Sequence, residues 1–211
     1  KVDANGLPFL DGSWNNTDYV PGSAGDAVDP RLDWTVGRDN VPYLDWGLHL
    51  PGWIRDRAWA GPYSPKKNIY EKSANAGSAV GWASYQLNSL NLHLLRYGDV
   101  VLLLAEAEIQ AGSIDSGMQL INLIRERASK GAQGPDGVGV VVPIDHPGIT
   151  WANYKIGLYP TAGWSKDDAM KALKMERRLE LAMEGHRFFD LRRWGDAQTV
   201  LNDYLTVEKT R

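Results

Sequence analysis

The sequence predicts a mainly α-helical protein with extensive irregular loops and a few short strands. After residue 96, apolar residues recur at helical spacing between glycine and serine boundaries. Before residue 90, the chain instead holds seven of its eleven prolines, ten of its 22 glycines and six of its nine tryptophans. We therefore predict one domain with two parts: a loop-rich aromatic segment over residues 1–90 and a helical region over residues 91–211.

The first part carries few periodic signals. Residues 1–28 are rich in Gly, Asn, Asp and Ser, which predicts a loop. Residues 29–38 are compatible with a short extended element. Residues 43–65 follow neither the helical nor the strand period. Because a compact domain rarely carries so much irregular chain on its own, we expect residues 1–90 to lie over a scaffold that is partly absent from this chain.

The second part begins with a predicted helical hairpin. Leu90–Leu94 alternates apolar and polar residues, which indicates an extended segment. Residues 97–111 and about 114–129 each carry an apolar stripe at helical spacing, which predicts two helices. Their short Gly112–Ser113 connection indicates that the two helices form an antiparallel hairpin.

Three further elements follow the hairpin. Residues 131–163 form a long glycine-rich connection that contains a strand candidate at Val140–Val142. Ser165 occupies the position of an N-cap, and its helix is predicted to extend to Glu184. A last helix is predicted over about Asp196–Tyr204.

The predicted helix that begins after Ser165 carries an unusual row of acids. Glu176, Glu180 and Glu184 fall four residues apart, so they lie on one helix face and repel one another unless cations meet them. We interpret the row as part of an ion network between helices, with Arg127 as a further candidate cation. The predicted members are Glu106, Arg125, Glu176, Glu180 and Arg187.

A carboxylate metal site is the alternative explanation of the acidic row. A di-metal helical bundle requires Glu-x-x-His spacing, whereas His186 lies two residues after Glu184. The other histidines, His49, His93 and His146, also lack metal-ligand spacing. We therefore predict no metal site.

Composition and motifs argue against several functional classes. The net charge is −3 with no basic block, so nucleic-acid binding has little electrostatic support. No apolar run reaches the roughly 20 residues of a membrane span. The sequence has no cysteine, no phosphate-binding loop and no dinucleotide fingerprint, so we predict no cofactor. Acid pairs for glycoside hydrolysis need not be adjacent, and with 26 acids a nearby pair arises easily by chance.

The aromatic residues of the first part suggest a ligand surface. The C–H faces of a pyranose ring lie well on Trp and Tyr, while its hydroxyl groups need polar partners. Aromatic and charged residues alternate in this way on the predicted loops. The candidate ligand-binding residues are Trp46, Trp53, Arg55, Trp59 and Tyr63. The alternative is that these tryptophans pin irregular loops to a core.

Four stretches of the chain resemble a known family. Residues 175–195 read Met-Glu-Arg-Arg-Leu-Glu-Leu-Ala-Met-Glu-Gly-His-Arg-Phe-Phe-Asp-Leu-Arg-Arg-Trp-Gly, which is similar to a late signature of the SusD/RagB family. This family comprises outer-membrane nutrient-binding lipoproteins of Bacteroidetes. Three other stretches resemble its motifs in the same order: Asp29–Arg38, Arg96–Ala107 and Ile121–Ala128.

The resemblance implies both a fold and a function. The fold is a SusD-like helical scaffold with tetratricopeptide-like hairpins. The implied function is non-catalytic binding of an oligosaccharide or polysaccharide at the bacterial cell surface. The bound glycan is then delivered to a SusC-like TonB-dependent outer-membrane transporter, as part of polysaccharide utilisation. The resemblance also implies contact with the membrane only through a lipid anchor, which we expect to lie outside this chain.

Other interpretations of the sequence stay open. Family members are longer and start with a lipoprotein signal, so we expect this chain to be a C-terminal fragment. RagB-like members take up peptides rather than glycans. A helical protein-docking module without its own ligand site is a further alternative, and a glycoside hydrolase is the least favoured.

Overall fold

The computed structural model of this chain is mainly helical, as the sequence predicts, with short strands and long irregular segments. It describes residues 1–11, 19–77, 87–135, 140 and 142–209. Trp14, Trp82 and the centre of the strand candidate Val140–Val142 lie outside the described residues.

The described residues form seven α-helices and four short strands. The helices are α1 (Leu32–Thr35), α2 (Arg57–Ala60), α3 (Tyr97–Ala111), α4 (Ile114–Lys130), α5 (Lys166–Glu180), α6 (His186–Trp194) and α7 (Ala197–Glu208). The strands are β1 (Ala27–Val28), β2 (Val36–Gly37), β3 (Ser64–Pro65) and β4 (Asn153–Tyr154). Single 3₁₀ turns occupy Leu44–Trp46, Pro51–Trp53 and Lys72–Ala74.

Helices α3, α4 and α5 pack together around the main hydrophobic core. Gly112 ends α3 in the left-handed conformation, at φ +96°, where its N–H reaches the last carbonyls of that helix. Gly117 on α4 allows a close approach, because a Cβ there would lie 2.5 Å from a side-chain carbon of Ile109. The fully buried core side chains are Leu102, Ala105, Ile109, Met118, Ile121, Ala169, Ala172 and Leu173.

Helix α5 ends earlier than predicted. It stops at Glu180, because Leu181 leaves helical geometry and Met183 takes a positive φ of 63°. Gly185 then precedes α6, for which no separate helix is predicted above. Phe188 and Phe189 on α6 are exposed. Glu184 therefore lies in a turn, off the helix face that carries the other two glutamates.

Two further segments also differ from expectation. Residues 29–38 hold the short helix α1 followed by strand β2, rather than one extended element. Leu90–Leu94 forms no strand, and its three leucines are exposed. An alternating apolar pattern is stable as a strand only where a neighbouring strand pairs with its backbone and packing covers its apolar face, and the described residues provide no partner strand there.

The irregular first part is joined to the helical part by specific contacts. Strand β1 pairs in parallel with β4, in the register Ala27 with Asn153. The indole N–H of Trp34 donates to the carbonyl of Gly131 at 2.6 Å. Strands β2 and β3 form a second, antiparallel pair within the first part. Part of the scaffold under residues 1–90 therefore lies within this chain.

Lys66 is a buried lysine at this junction. It is 2% exposed, and its Nζ donates to the carbonyls of Asp33 and Pro42 at 2.6 and 2.7 Å. It also donates to Oε1 of Gln133 at 2.8 Å. Burial lowers the pKa of Lys66 to about 8, because the interior disfavours its charged form.

This lowered pKa predicts a pH-dependent contribution to stability. An unfolded lysine titrates near 10.4, so between about pH 8 and 10 the unfolded chain binds more protons and the free energy of unfolding rises with pH. Urea unfolding at pH 7.5 and pH 9.5 should show that the free energy of unfolding of the wild type rises by about 2 kcal/mol relative to that of Lys66→Met. A difference that stays constant across this range would show that Lys66 titrates normally.

No helix among the described residues is both long and apolar enough to cross a membrane.

Candidate functional site

A buried charged cluster organises the molecule around α5. We call Asp29, Arg31, Arg125, Glu176 and Glu180 the acid–arginine cluster. Arg125 and Glu176 are both fully buried, and they pair at 2.8 Å. Arg31 bridges the two glutamates, at 2.7 Å from Glu176 and 3.0 Å from Glu180. Asp29 accepts hydrogen bonds from the Arg31 side chain at 2.8 and 2.9 Å.

Arg125 also holds two backbone segments in place. Its guanidinium donates to the carbonyls of Gly157 and Gly6, at 2.7 and 2.8 Å, and it lies 4.8 Å from the ring centre of Tyr159. The two glycines touch: a Cβ on Gly6 would lie 2.6 Å from the backbone nitrogen of Gly157. The cluster thus fixes the N-terminal segment against the loop before α5.

A more exposed set of cations surrounds Glu180. Arg96 and Arg127 each pair with it at 2.7 Å, and Arg96 also pairs with Glu184 at 2.7 Å. Burial alone would raise the pKa of Glu180, but the charges of Arg31 and Arg127 outweigh it and hold that pKa below its usual value. Glu180 therefore stays ionised at neutral pH.

Two of the predicted network residues lie elsewhere. Glu106 binds Arg193 and the indole N–H of Trp194 on α6, so it belongs to a second group of charges. The prediction for Arg187 requires correction, because no described residue forms an ion pair with it and it lines a separate cavity. The cause is the turn at Gly185, which carries Arg187 beyond the end of α5 onto another helix.

The candidate aromatic residues divide into exposed and packed side chains. Trp59 on α2 is 91% exposed, and the Asp56 carboxylate caps its turn through the N–H groups of Ala58 and Trp59. Arg55 is exposed on the loop before α2. Tyr63 is 44% exposed. These three side chains are accessible to a ligand.

Trp46 and Trp53 are held more firmly. The indole N–H of Trp46 donates to the carbonyl of Tyr70 at 2.9 Å, and the two rings meet edge to face. Trp53 meets the rings of Tyr43 and His49 with centres 5.5 and 5.4 Å apart, yet remains 45% exposed. Trp46 is therefore chiefly a packing residue, while Trp53 has one face in the structure and one towards solvent.

A cleft of about 310 Å³ lies next to this aromatic region. It is lined by Tyr19, Pro21, Arg38, Asp39, Asn40, Pro62, Tyr63 and Thr150. Among the candidate residues, the structure places Tyr63 in this lining. The other lining residues come from segments far apart in sequence, so no local motif could have identified them.

Asp39 connects the cleft with helix α2. Arg57 donates to both oxygens of Asp39, at 3.0 and 2.8 Å, and Nδ1 of His49 lies 3.1 Å from Oδ1. The hydrogen bonds from Arg57 hold the pKa of Asp39 below its usual value, although partial burial opposes the shift. Arg57 thereby joins the turn that carries Trp59 to a carboxylate that stays ionised.

The cleft and its surroundings combine aromatic faces with a few fixed polar groups. This chemistry suits a ligand with apolar faces and many hydroxyl groups. Across the ranges that the structure describes, no group of three or more His, Cys, Asp or Glu side chains is arranged to hold a metal ion.

Comparisons with known proteins give a consistent result. The sequence profile of the SusD family matches residues 23–210. The SusD-like protein P38 of Formosa agariphila is 31% identical over 118 residues, which are 56% of this chain and 20% of that protein. The crystal structure of a SusD-like protein from Bacteroides fragilis covers 79% of this chain and 28% of its own, with a TM-score of 0.50 and 19% identity. This chain thus spans 20% and 28% of the lengths of these two relatives.

Proposed function

Because this chain belongs to the SusD family, we propose that it contributes to a non-catalytic glycan-binding protein of nutrient uptake. The ligand is an oligosaccharide, and the binding surface consists of Trp59, Tyr63, Trp53 and the adjacent cleft. The observation that carries this proposal is the 91% exposure of Trp59. A largely exposed indole offers an apolar face to a sugar ring, and Arg57 ties the turn that carries it to Asp39 of the polar cleft.

The polar groups of the cleft support the same proposal. Asp39 is ionised and fixed by Arg57, so it can accept hydrogen bonds from sugar hydroxyl groups without moving. Asn40 supplies an amide with both donor and acceptor atoms at the same rim. A few fixed polar groups beside aromatic faces provide orientation and specificity.

The proposed binding is non-catalytic. Glycoside hydrolysis requires two carboxyl groups, one of them with a raised pKa to act as the acid. Among the described residues that line the cleft, Asp39 is the one acid, and its pKa is lowered rather than raised.

We further propose that the complete protein acts at the outer surface of the bacterial outer membrane. There it would deliver its ligand to a SusC-like TonB-dependent transporter. The family assignment supports this proposal, together with the resemblance to SusD-like proteins of two bacteria.

Calorimetric titration of the full-length protein tests the binding function. The panel consists of neutral and acidic oligosaccharides, with short peptides as the alternative ligand class. We expect at least one oligosaccharide to bind with a Kd in the micromolar to millimolar range, and no reducing sugar to be released. Binding of peptides alone would favour a RagB-like function, and release of reducing sugar would overturn the non-catalytic proposal.

A protein-docking function is the second candidate. It is supported by an exposed apolar surface before and along α3, where Leu92, Leu94 and Tyr97 are 76%, 82% and 75% exposed. Leu94→Glu in the full-length protein should weaken co-purification with the transporter and leave oligosaccharide affinity unchanged. Equal co-purification of both forms would remove this candidate.

A further inference from the structure

A second cavity, of about 410 Å³, lies where the first part meets the end of α5. Val28, Leu32 and Val36 form one side of it. Leu179 and Ala182 form part of the other side. These side chains give the cavity an aliphatic wall, in contrast to the aromatic surface around Trp59. The volume falls within the range of small-molecule sites, roughly 300–1,000 Å³.

Three arginines line this cavity. Arg31 is engaged by Asp29, Glu176 and Glu180, and the other two come from different helices. Arg178 lies in the last turn of α5, and Arg187 lies in the first turn of α6. Both side chains line the same cavity, and burial, followed by the charge of Arg187, lowers the pKa of Arg178. A pair of like charges at one cavity is a natural receptor for an anion.

The charge of Arg187 is only partly compensated within the described residues. The acids that act on Arg187 are Asp190 and then Asp196. The two oxygens of Asp190 already accept hydrogen bonds from Arg177 and Arg193, and Asp196 pairs with Lys174. Burial lowers the pKa of Arg187, and the charge of Asp190 opposes this shift without reversing it. Asp29 on the cavity wall is likewise engaged, by Arg31.

We propose that this cavity binds a small organic anion, a carboxylate with a short aliphatic body. The carboxylate lies between the guanidinium groups of Arg178 and Arg187, and the hydrocarbon lies along Leu32, Val36 and Leu179. The planar fork of a guanidinium matches a carboxylate in a bidentate arrangement. The aliphatic wall disfavours a fully hydrated inorganic anion. This site is independent of the glycan surface.

Calorimetric titration with hexanoate tests the site, with hexanol as the uncharged probe of the same length. We expect hexanoate to bind at least tenfold more tightly than hexanol. Arg187→Gln should weaken hexanoate binding by tenfold or more, because a hydrogen bond to a charged group is lost. Arg192→Gln is the matched control, since Arg192 lies on the same helix, exposed over the Phe188 ring. This control should leave hexanoate affinity unchanged.

A second variant keeps the test decisive if Arg187→Gln does not fold. Ala182→Leu fills part of the cavity without altering its charge, and it should also weaken hexanoate binding by tenfold or more. Equal affinity for hexanoate and hexanol would overturn the proposal, as would wild-type hexanoate affinity in a folded Arg187→Gln or Ala182→Leu variant. None of these measurements depends on whether the protein binds a glycan.

Discussion

Arg125→Met is expected to lower the free energy of unfolding by about 3–5 kcal/mol, because it removes one partner of a buried ion pair. Arg125 is fully buried and pairs with the fully buried Glu176, so its loss strands part of a carboxylate in the interior. The carbonyls of Gly6 and Gly157 also lose their hydrogen-bond donor. Urea unfolding followed by circular dichroism measures the change.

Lys130→Met supplies a matched control on the same helix. Lys130 pairs with Glu126 at 2.8 Å, but the two side chains are 73% and 53% exposed. Exposed pairs contribute about 0–1 kcal/mol, so this variant should unfold almost as wild type does. If both variants lost a similar free energy of unfolding, burial of the acid–arginine cluster would not determine how much the cluster stabilises the protein.

Trp59→Ala is expected to weaken oligosaccharide binding by roughly 30-fold and to leave the melting temperature nearly unchanged. Truncating a central aromatic contact of a binding surface costs about 2 kcal/mol of binding free energy, which corresponds to that factor. Little folding energy is lost, because Trp59 is 91% exposed. Calorimetric titration and thermal melting of the same samples of the full-length protein measure both quantities.

The control for this variant is Trp46→Ala. Trp46 donates to the carbonyl of Tyr70 and packs against its ring, so its removal should lower the melting temperature and change oligosaccharide affinity little. The reverse result, with Trp59→Ala unstable and fully able to bind, would identify Trp59 as a structural residue and withdraw it from the proposed surface.

The row of glutamates shows how far sequence reasoning reaches. The four-residue spacing of Glu176 and Glu180 predicts cations at that helix face, and Arg125 pairs with Glu176 there. The same pattern could not identify Arg31, which lies 145 residues from Glu176 in sequence. Helical periodicity describes one helix at a time, whereas partners from distant segments are fixed by tertiary packing.

The error at Arg187 has a local cause. Continuing the helix to Glu184 placed Arg187 near the acidic row, but Met183 and Gly185 take positive φ values of 63° and 83° and end that continuity. Glycine at position 185 is typical of a helix end. The earlier break at Leu181 had no such signal, because no glycine or proline marks it.

The composition of the first part predicts that it is rich in aromatic residues, but not which of them are exposed. Tryptophans among turn-forming residues predict either a ligand platform or loop anchors, and the described residues include both exposed and packed tryptophans. Trp46 and Trp59 lie in similar sequence surroundings, yet one is bonded to Tyr70 and the other is exposed. That difference depends on contacts from residue 70 and beyond, which no local pattern encodes.

The long sequence separation of the acid–arginine cluster has a consequence for the order of folding. The α3–α4 hairpin closes through local contacts, whereas Arg31 reaches Glu176 and Glu180 across 145 and 149 residues, a closure that is entropically costly. The cluster should therefore assemble after the rate-limiting step, with its glutamates still hydrated until then. In stopped-flow kinetics, Arg31→Met should speed unfolding and leave the folding rate almost unchanged; a slowed folding rate would place the cluster in the nucleus instead.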